Sequence, residues 1–268
     1  MKKYIAIILS VILIASLIQY ANADWIDYMY WRLDTREELG VCIYEPDEII
    51  INAKKDYLIE HTILALGTWE SKLNTYSNST LYNMNVKIVN ITDHTGKNIK
   101  DFTECNVHIL FTDEKVVHSK VSDLTLGVSW NEGNIMGTEM SVIEVYPKTV
   151  KRFVIVEDGK NYTPDDIDKI SIKTELWVPP SGVYSIVLHE FGHSIGLGHA
   201  CNELYGHRIK SVMQPVFDPF TQVLNITDYD LAAVYFKYGE NGWNSESEWL
   251  PLKYGNASPF FRGMVRCT

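Results

Sequence analysis

Hydrophobic positions recur along this chain in more than one rhythm. From Ile51 to Tyr76, Leu58, Ile59, Ile63, Leu66, Trp69 and Leu73 return at threes and fours, which predicts a long amphipathic helix. Asn83 to Thr92 alternates Met84, Val86 and Ile88 with polar neighbours and predicts a strand, as does Asn106 to Phe111. Ile43 and Tyr44 give a short strand or arm ended by Glu45-Pro46, and Leu126 to Trp130 gives a short strand ahead of Ser141 to Tyr146. Arg152 to Glu157 and Ile170 to Trp177 flank DGKNYTPDD and read as an inserted hairpin, spanning about 150–178. Pro179-Pro180-Ser181-Gly182 then stops the strand, with Ser181 as the expected cap of a helix whose apolar positions are Ile186, Val187, Phe191 and Ile195. A last helix runs from Thr227 through Lys237 with Leu231, Val234 and Tyr235 facing inward, and Thr227 with Asp230 has the form of a capping box.

The first residues follow a different rule. Lys2 and Lys3 precede an apolar run from Tyr4 to Ile18, and Ala21-Asn22-Ala23 follows, so residues 1–23 read as a signal peptide cut before Asp24. The alternative is an uncleaved anchor, although about 15 apolar residues fall short of the roughly 20 that span a bilayer. Export predicts a secreted or cell-surface protein, in contact with membrane only if the anchor is retained. The 24 basic and 34 acidic side chains leave a net charge of −10, and −12 once Lys2 and Lys3 are removed with the leader. Nucleic acid needs clustered Lys and Arg, so that class of partner is excluded. The remaining residues suffice for one substantial core, in one or two lobes.

Candidate chemistry is concentrated in the second predicted helix. His189, Glu190, His193, Gly196 and His199 stand in the order H-E-x-x-H-x-x-G-x-x-H, followed by Met213. In a helix, His189 and His193 are one turn apart and leave the same face, where two imidazoles can grip one metal ion. A third ligand needs the chain to turn back, and Gly196 permits the left-handed conformation that ends a helix and returns His199. Three neutral imidazoles leave a tetrahedral zinc one position for water, the open arrangement of a catalytic rather than a structural site. Glu190, adjacent to a ligand but not one itself, is placed to accept the proton of that water as a general base.

At these residues the chain resembles the metzincin zinc endopeptidases, whose signature is this extended histidine motif plus a downstream methionine turn. HEFGHSIGLGH and S-V-M-Q-P resemble the matrixin branch, with Ala200 a departure where matrixins usually carry serine. The resemblance implies an α+β fold: a twisted mixed β-sheet with two long helices in an upper lobe to about residue 199, and a smaller lower lobe from about 200 with the Met-turn and last helix. It implies that Met213 lies beneath the imidazoles without binding the metal, and Gln214 in the following position predicts no further protein ligand. It implies that the strand containing Gly127, Val128 and Ser129 is the sheet edge that binds substrate backbone, with Trp130 read equally well as a core or rim aromatic, and that Val216 to Leu224 walls the pocket beyond the scissile bond. The expected activity is hydrolysis of protein or peptide substrates by a monomer holding one catalytic Zn(2+). The competing readings are a zinc-stabilised surface-binding protein without catalysis and a zinc amidase acting on a non-peptide amide.

Cys42, Cys105, Cys201 and Cys267 are an even number in an exported chain and show no C-x-x-C spacing, so two disulfides are expected. Of three connectivities, Cys42–Cys105 with Cys201–Cys267 is favoured because each ties elements of one lobe; a free Cys42 blocking the zinc is the alternative. His108 and His118 with Asp113 fit no ligand spacing and are expected as strand or solvent histidines. The tail 240–268, with Trp243, Trp249, Tyr254, Phe260 and Phe261, is expected to pack back on the catalytic domain at 24–239. Asn78, Asn90, Asn161, Asn225 and Asn256 open N-x-[ST] triplets, possible glycan acceptors in an exported chain.

Overall fold

The structure is a computed structural model that describes residues 31, 33, 38–46, 48–90, 105–112, 125–134, 137–154, 171–200, 203–204, 207–208 and 211–243. The leader, Cys201, Cys267, His118, Asp113 and the tail aromatics after Trp243 lie outside the described residues.

Strand β1 (Leu39–Tyr44) runs into helix α1 (Glu48–Ser77) and returns as strand β2 (Met84–Val89) parallel to β1, in register from Leu39↔Met84 to Tyr44↔Val89. Parallel neighbours need such a crossover, and α1 supplies it. The chain turns out of α1 at Asn78, whose φ of 51° is the left-handed conformation that asparagine tolerates best after glycine. The buried stripe of α1 is Leu58, Thr62, Ala65, Leu66, Trp69 and Leu73, with Ile59 at its margin. Ile63, expected in that stripe, is 42% exposed, and Thr62 takes the inner position with its hydroxyl donated to the Leu58 carbonyl at 2.8 Å. A threonine can face a core when it returns its proton to its own helix.

Strand β3 (Val107–Phe111) pairs parallel with β1, and the hairpin of β4 (Gly127–Asn134) and β5 (Gly137–Val145) completes the sheet, β5 parallel to β3 and β4 antiparallel to β5. The order β2-β1-β3-β5-β4 makes a mixed, mostly parallel sheet whose antiparallel strand β4 is an edge among the described strands. Of the short strand or arm expected at Ile43 and Tyr44, the structure has the strand, and it lies inside the sheet. Leu39, Val41, Ile43, Val107, Ile109, Phe111, Ile143 and Val145 face the main core, whereas Cys42, Tyr44, Leu110 and Val142 form a smaller cluster on the other face. Burial on both faces is why these strands read as apolar runs rather than as alternations.

Strands β6 (Lys148–Val154) and β7 (Ser171–Trp177) form the expected antiparallel hairpin as a separate two-stranded sheet, which begins earlier than Arg152. Helix α2 (Pro180–Ser194) follows. Its first residue is Pro180, whose missing N–H is no loss at that position, and the capping place falls to Pro179 without a side-chain cap. Ser181 is therefore not the cap; it sits exposed inside the first turn. Helix α3 (Asp228–Tyr238) opens on the expected capping box, the Asp230 carboxylate accepting from both the N–H and the hydroxyl of Thr227 at 2.8 Å. The fold is α+β, with α1 and α2 packed on one face of the mixed sheet. Trp243 is buried against this body, its indole N–H donated to the Asn83 carbonyl at 2.9 Å.

The expected disulfide Cys42–Cys105 is present, joining β1 to the approach of β3, and leaves no thiol at Cys42 to block a metal. A disulfide belongs to oxidising, extracytoplasmic surroundings. No described helix is long and apolar enough to cross a membrane. His108 is a buried strand histidine, as expected: its Nδ1 meets the Tyr44 hydroxyl at 2.7 Å on the face away from the helices.

Candidate metal centre

Helix α2 is buried along most of its length, and its end is built by one turn. Gly196, at φ 88°, donates its N–H to the His193 carbonyl, and Leu197 donates to the Gly192 carbonyl, both at 2.9 Å. This paired closure satisfies carbonyls that a helix end leaves open. Sequence placed Gly196 here for its freedom at positive φ, and the structure uses it so.

The turn brings His199 back to His189 and His193. The Nε2 atoms of His189 and His193 are 3.2 Å apart, as are those of His193 and His199. Nδ1 of His189 meets the Val212 carbonyl at 2.8 Å, and Nδ1 of His193 meets the Leu197 carbonyl at 2.7 Å. A carbonyl only accepts, so each ring places its N–H on Nδ1 and keeps a lone pair on Nε2. Two lone pairs at 3.2 Å repel unless a cation lies between them. For nitrogen ligands about 2.0–2.1 Å from a tetrahedral metal, the ligand–ligand edge is about 3.3–3.4 Å, so the spacing fits such an ion. The three histidines are the one group of His, Cys, Asp or Glu side chains among the described residues that could hold a metal. Burial and the neighbouring rings push the His189 pKa down to about 3, and burial lowers that of His199, which keeps both neutral as ligands must be.

Glu190 points to the sheet side of α2. Burial raises its pKa to about 8 in the metal-free chain, while a hydrogen bond from the Ser129 backbone N–H acts in the opposite sense. A dication held by the adjacent imidazoles also favours the carboxylate. Gly127 lies directly against it: a Cβ there would stand 2.8 Å from Glu190 Cγ and from Ile186 Cγ2. Edge strand β4 therefore meets Glu190 through a glycine and a backbone donor, the same stretch that sequence singled out for substrate. Next along the strand, Ser129 Oγ is 3.0 Å from Ser194 Oγ, Ser141 Oγ donates to Ser194 Oγ at 2.7 Å, and Asn131 Nδ2 donates to the His193 carbonyl at 3.2 Å.

Met213 is fully buried beside Gly192, where any Cβ would collide with its sulfur. Its turn is held from α3: the buried Asp230 carboxylate accepts from the Ser211 hydroxyl and, at 3.2 Å, from the Val212 N–H. Met213 donates its N–H to Ser211 Oγ, and its carbonyl accepts from Ala200. The loop 216–224 is fastened to the start of α2 by Leu224 N–H on Ser185 Oγ and by Pro219 against Gly182. Phe217 lies near the His189 ring, at 6.2 Å between centroids, while Val216 is 83% exposed.

Several supports escaped the sequence reading. Asp230 was legible only as a cap, and nothing in the pattern pointed to Ser194 within α2 or to Trp31, Lys237 and Tyr238, which meet the end of α2 from far along the chain. Tyr146 donates to the buried Glu144 carboxylate at 2.8 Å, and burial raises its pKa. No protein-family model matches the chain, and no curated protein matches it.

Proposed function

We propose that this chain is a secreted, zinc-dependent endopeptidase of metzincin-like fold, closest in its motif to the matrixin branch, acting as a monomer on protein or peptide substrates. The observation that carries the reading is the position of Glu190: a buried carboxylate, not itself among the converging ring nitrogens, gripped by the N–H of an edge strand. A site that holds metal for stability alone has no use for a base there. The antiparallel edge β4 beside the zinc helix, the Gly196 turn and the buried Met213 beneath that helix also support the resemblance. On this reading the upper lobe ends near residue 199, and export removes residues 1–23.

Zinc held by His189, His193 and His199 would supply Lewis-acid polarisation of a carbonyl and a lowered pKa for coordinated water. Glu190 takes the proton from the attacking water and delivers it to the departing amine, a general base turned general acid. Ser129 N–H and the close approach of Gly127 hold the carboxylate in one place for both transfers. An extended peptide adds to the edge of β4 at Gly127, Val128 and Ser129 through the backbone groups that β5 and Glu190 do not engage, so many sequences can be held in one geometry.

Incubating the mature protein with a proteome-derived peptide library, with and without a chelator, tests the proposal. Cleavage abolished by chelation and restored by zinc is the expected result. Zinc bound without any cleavage would turn the reading to a binding protein, and release only from non-peptide amides would turn it to an amidase.

A further inference from the structure

The far end of α2 is unusual in how its carbonyls are satisfied. The last carbonyls of a helix lack intrahelical partners and normally turn to water. Here Ser194, Ile195 and Leu197 are buried, so partners must come from the protein. The Ser194 carbonyl accepts the Trp31 indole N–H at 3.0 Å, the Ile195 carbonyl accepts the Tyr238 hydroxyl at 3.1 Å, and the Gly196 carbonyl accepts Lys237 Nζ at 3.1 Å. Trp31 is itself fixed: its backbone N–H donates to the Tyr238 hydroxyl oxygen at 3.0 Å, and it bridges to Thr138 on β5. Leu33 is tied as well, its N–H donated to the Trp243 carbonyl at 3.3 Å. One tyrosine hydroxyl thus links Trp31 to the helix end, accepting a hydrogen bond from the Trp31 backbone N–H and donating one to the Ile195 carbonyl.

We propose that Trp31 and Tyr238 are positioning residues for the third metal ligand: the segment at Trp31 is a strap across the end of α2 that fixes the Ser194–Gly196 turn and so holds His199 against His193. The argument runs through the chain. His199 follows the turn by three residues, and its ring meets His193 at 3.2 Å between Nε2 atoms. Gly196 sits in a conformation that glycine enters and leaves easily. Hydrogen bonds from outside the turn therefore add to its own paired closure in keeping that approach fixed when no metal is bound. This inference rests on the metal-centre reading and adds to it a dependence on distant chain, Trp31 lying 163 residues ahead of Ser194 at the helix end.

The test uses the full chain and measures zinc dissociation constants by chelator competition, together with the visible spectrum of the cobalt-loaded protein. Trp31→Phe keeps the aromatic body and loses the indole donor; Tyr238→Phe loses one oxygen. Tyr57→Phe is the control, because it too removes a hydroxyl donated to a backbone carbonyl, that of Val178 at 3.1 Å, ahead of the opposite end of α2. Groups that orient metal ligands from behind typically contribute 10- to 100-fold in affinity, so Trp31→Phe and Tyr238→Phe should each weaken zinc by about tenfold or more and change the cobalt bands. Tyr57→Phe should lower the stability of the metal-free protein without either effect. If Trp31→Phe does not fold, Tyr238→Phe carries the comparison. Wild-type affinity and an unchanged cobalt spectrum in the variants would overturn the strap, whereas a wild-type chain that binds no zinc would overturn the metal centre itself.

Discussion

His189 donates its Nδ1 proton to the Val212 carbonyl at 2.8 Å, across 23 residues of chain. That one bond sets which nitrogen of the ring is free for metal, and it makes the ligand's orientation depend on the peptide that precedes Met213. The same peptide is held from behind by Asp230, which accepts from Ser211, Val212 and Thr227.

Asp230→Asn tests this arrangement. An amide presents one acceptor oxygen where the carboxylate presents two, so donors now satisfied would face an NH2 group. Hydrogen bonds to a buried charged group are worth about 1.5–3 kcal/mol each, and the variant should lose at least that much stability in urea denaturation. Because the loss reaches the His189 ligand, zinc affinity should fall by about 10-fold or more in chelator competition. Unchanged affinity would mean that Val212 is held without Asp230.

Gly127→Ala probes the meeting of strand and base. The added methyl must displace Glu190 or Ile186, both buried, and overpacking of this kind costs about 1–3 kcal/mol. Peptide turnover should drop further than stability alone explains, since the carboxylate is moved off Ser129. Wild-type turnover in Gly127→Ala would show that Glu190 tolerates displacement.

The histidine-bearing helix α2, its turn and the edge strand were legible because each rests on local pattern: a spacing of histidines, a glycine at the reversal, a short run at Gly127. The capping box at Thr227 and Asp230 was legible for the same reason, but its larger task was not, since Ser211 and Val212 reach Asp230 only after folding. Ile63 misled because a helical rhythm of threes and fours fixes a stripe only to within about one position, and Thr62 can face inward by bonding Leu58. Ser181 misled because the helix begins one residue earlier, at Pro180, which places Ser181 inside the first turn rather than at the cap. Trp31 carried no signal at all, as its partners at Ser194 and Tyr238 are distant in sequence.

Removing the disulfide by Cys42→Ser with Cys105→Ser should lower stability by about 2–5 kcal/mol, because the bond closes a long loop of the unfolded chain. Its sequence separation is 63. Zinc content should remain that of wild type, since both cysteines lie on the sheet face away from α2. Zinc loss in the folded double variant would contradict this separation of roles.

Acid stability should depend on His108. Burial lowers its pKa from the ordinary 6.5 to about 4, and a hydrogen bond with the Cys105 backbone opposes the shift only in part. As pH falls, the unfolded chain takes up this proton first, so the stability contributed by the neutral ring is complete above about 6.5 and is lost between 6.5 and 4. His108→Gln keeps an acceptor for the Tyr44 hydroxyl and removes the titration. Its melting temperature should fall less steeply than that of wild type over this window; parallel curves would show that His108 is not the group responsible.

The most direct measurement compares peptide cleavage and zinc stoichiometry in wild type and Glu190→Gln. The amide keeps the shape of the side chain and cannot accept the water's proton, and the imidazoles are untouched. General acid–base groups commonly contribute about 10²- to 10⁴-fold, so turnover should fall by that order while the variant still holds one zinc. A Glu190→Gln protein that retains zinc and cleaves peptides as fast as wild type would contradict the account.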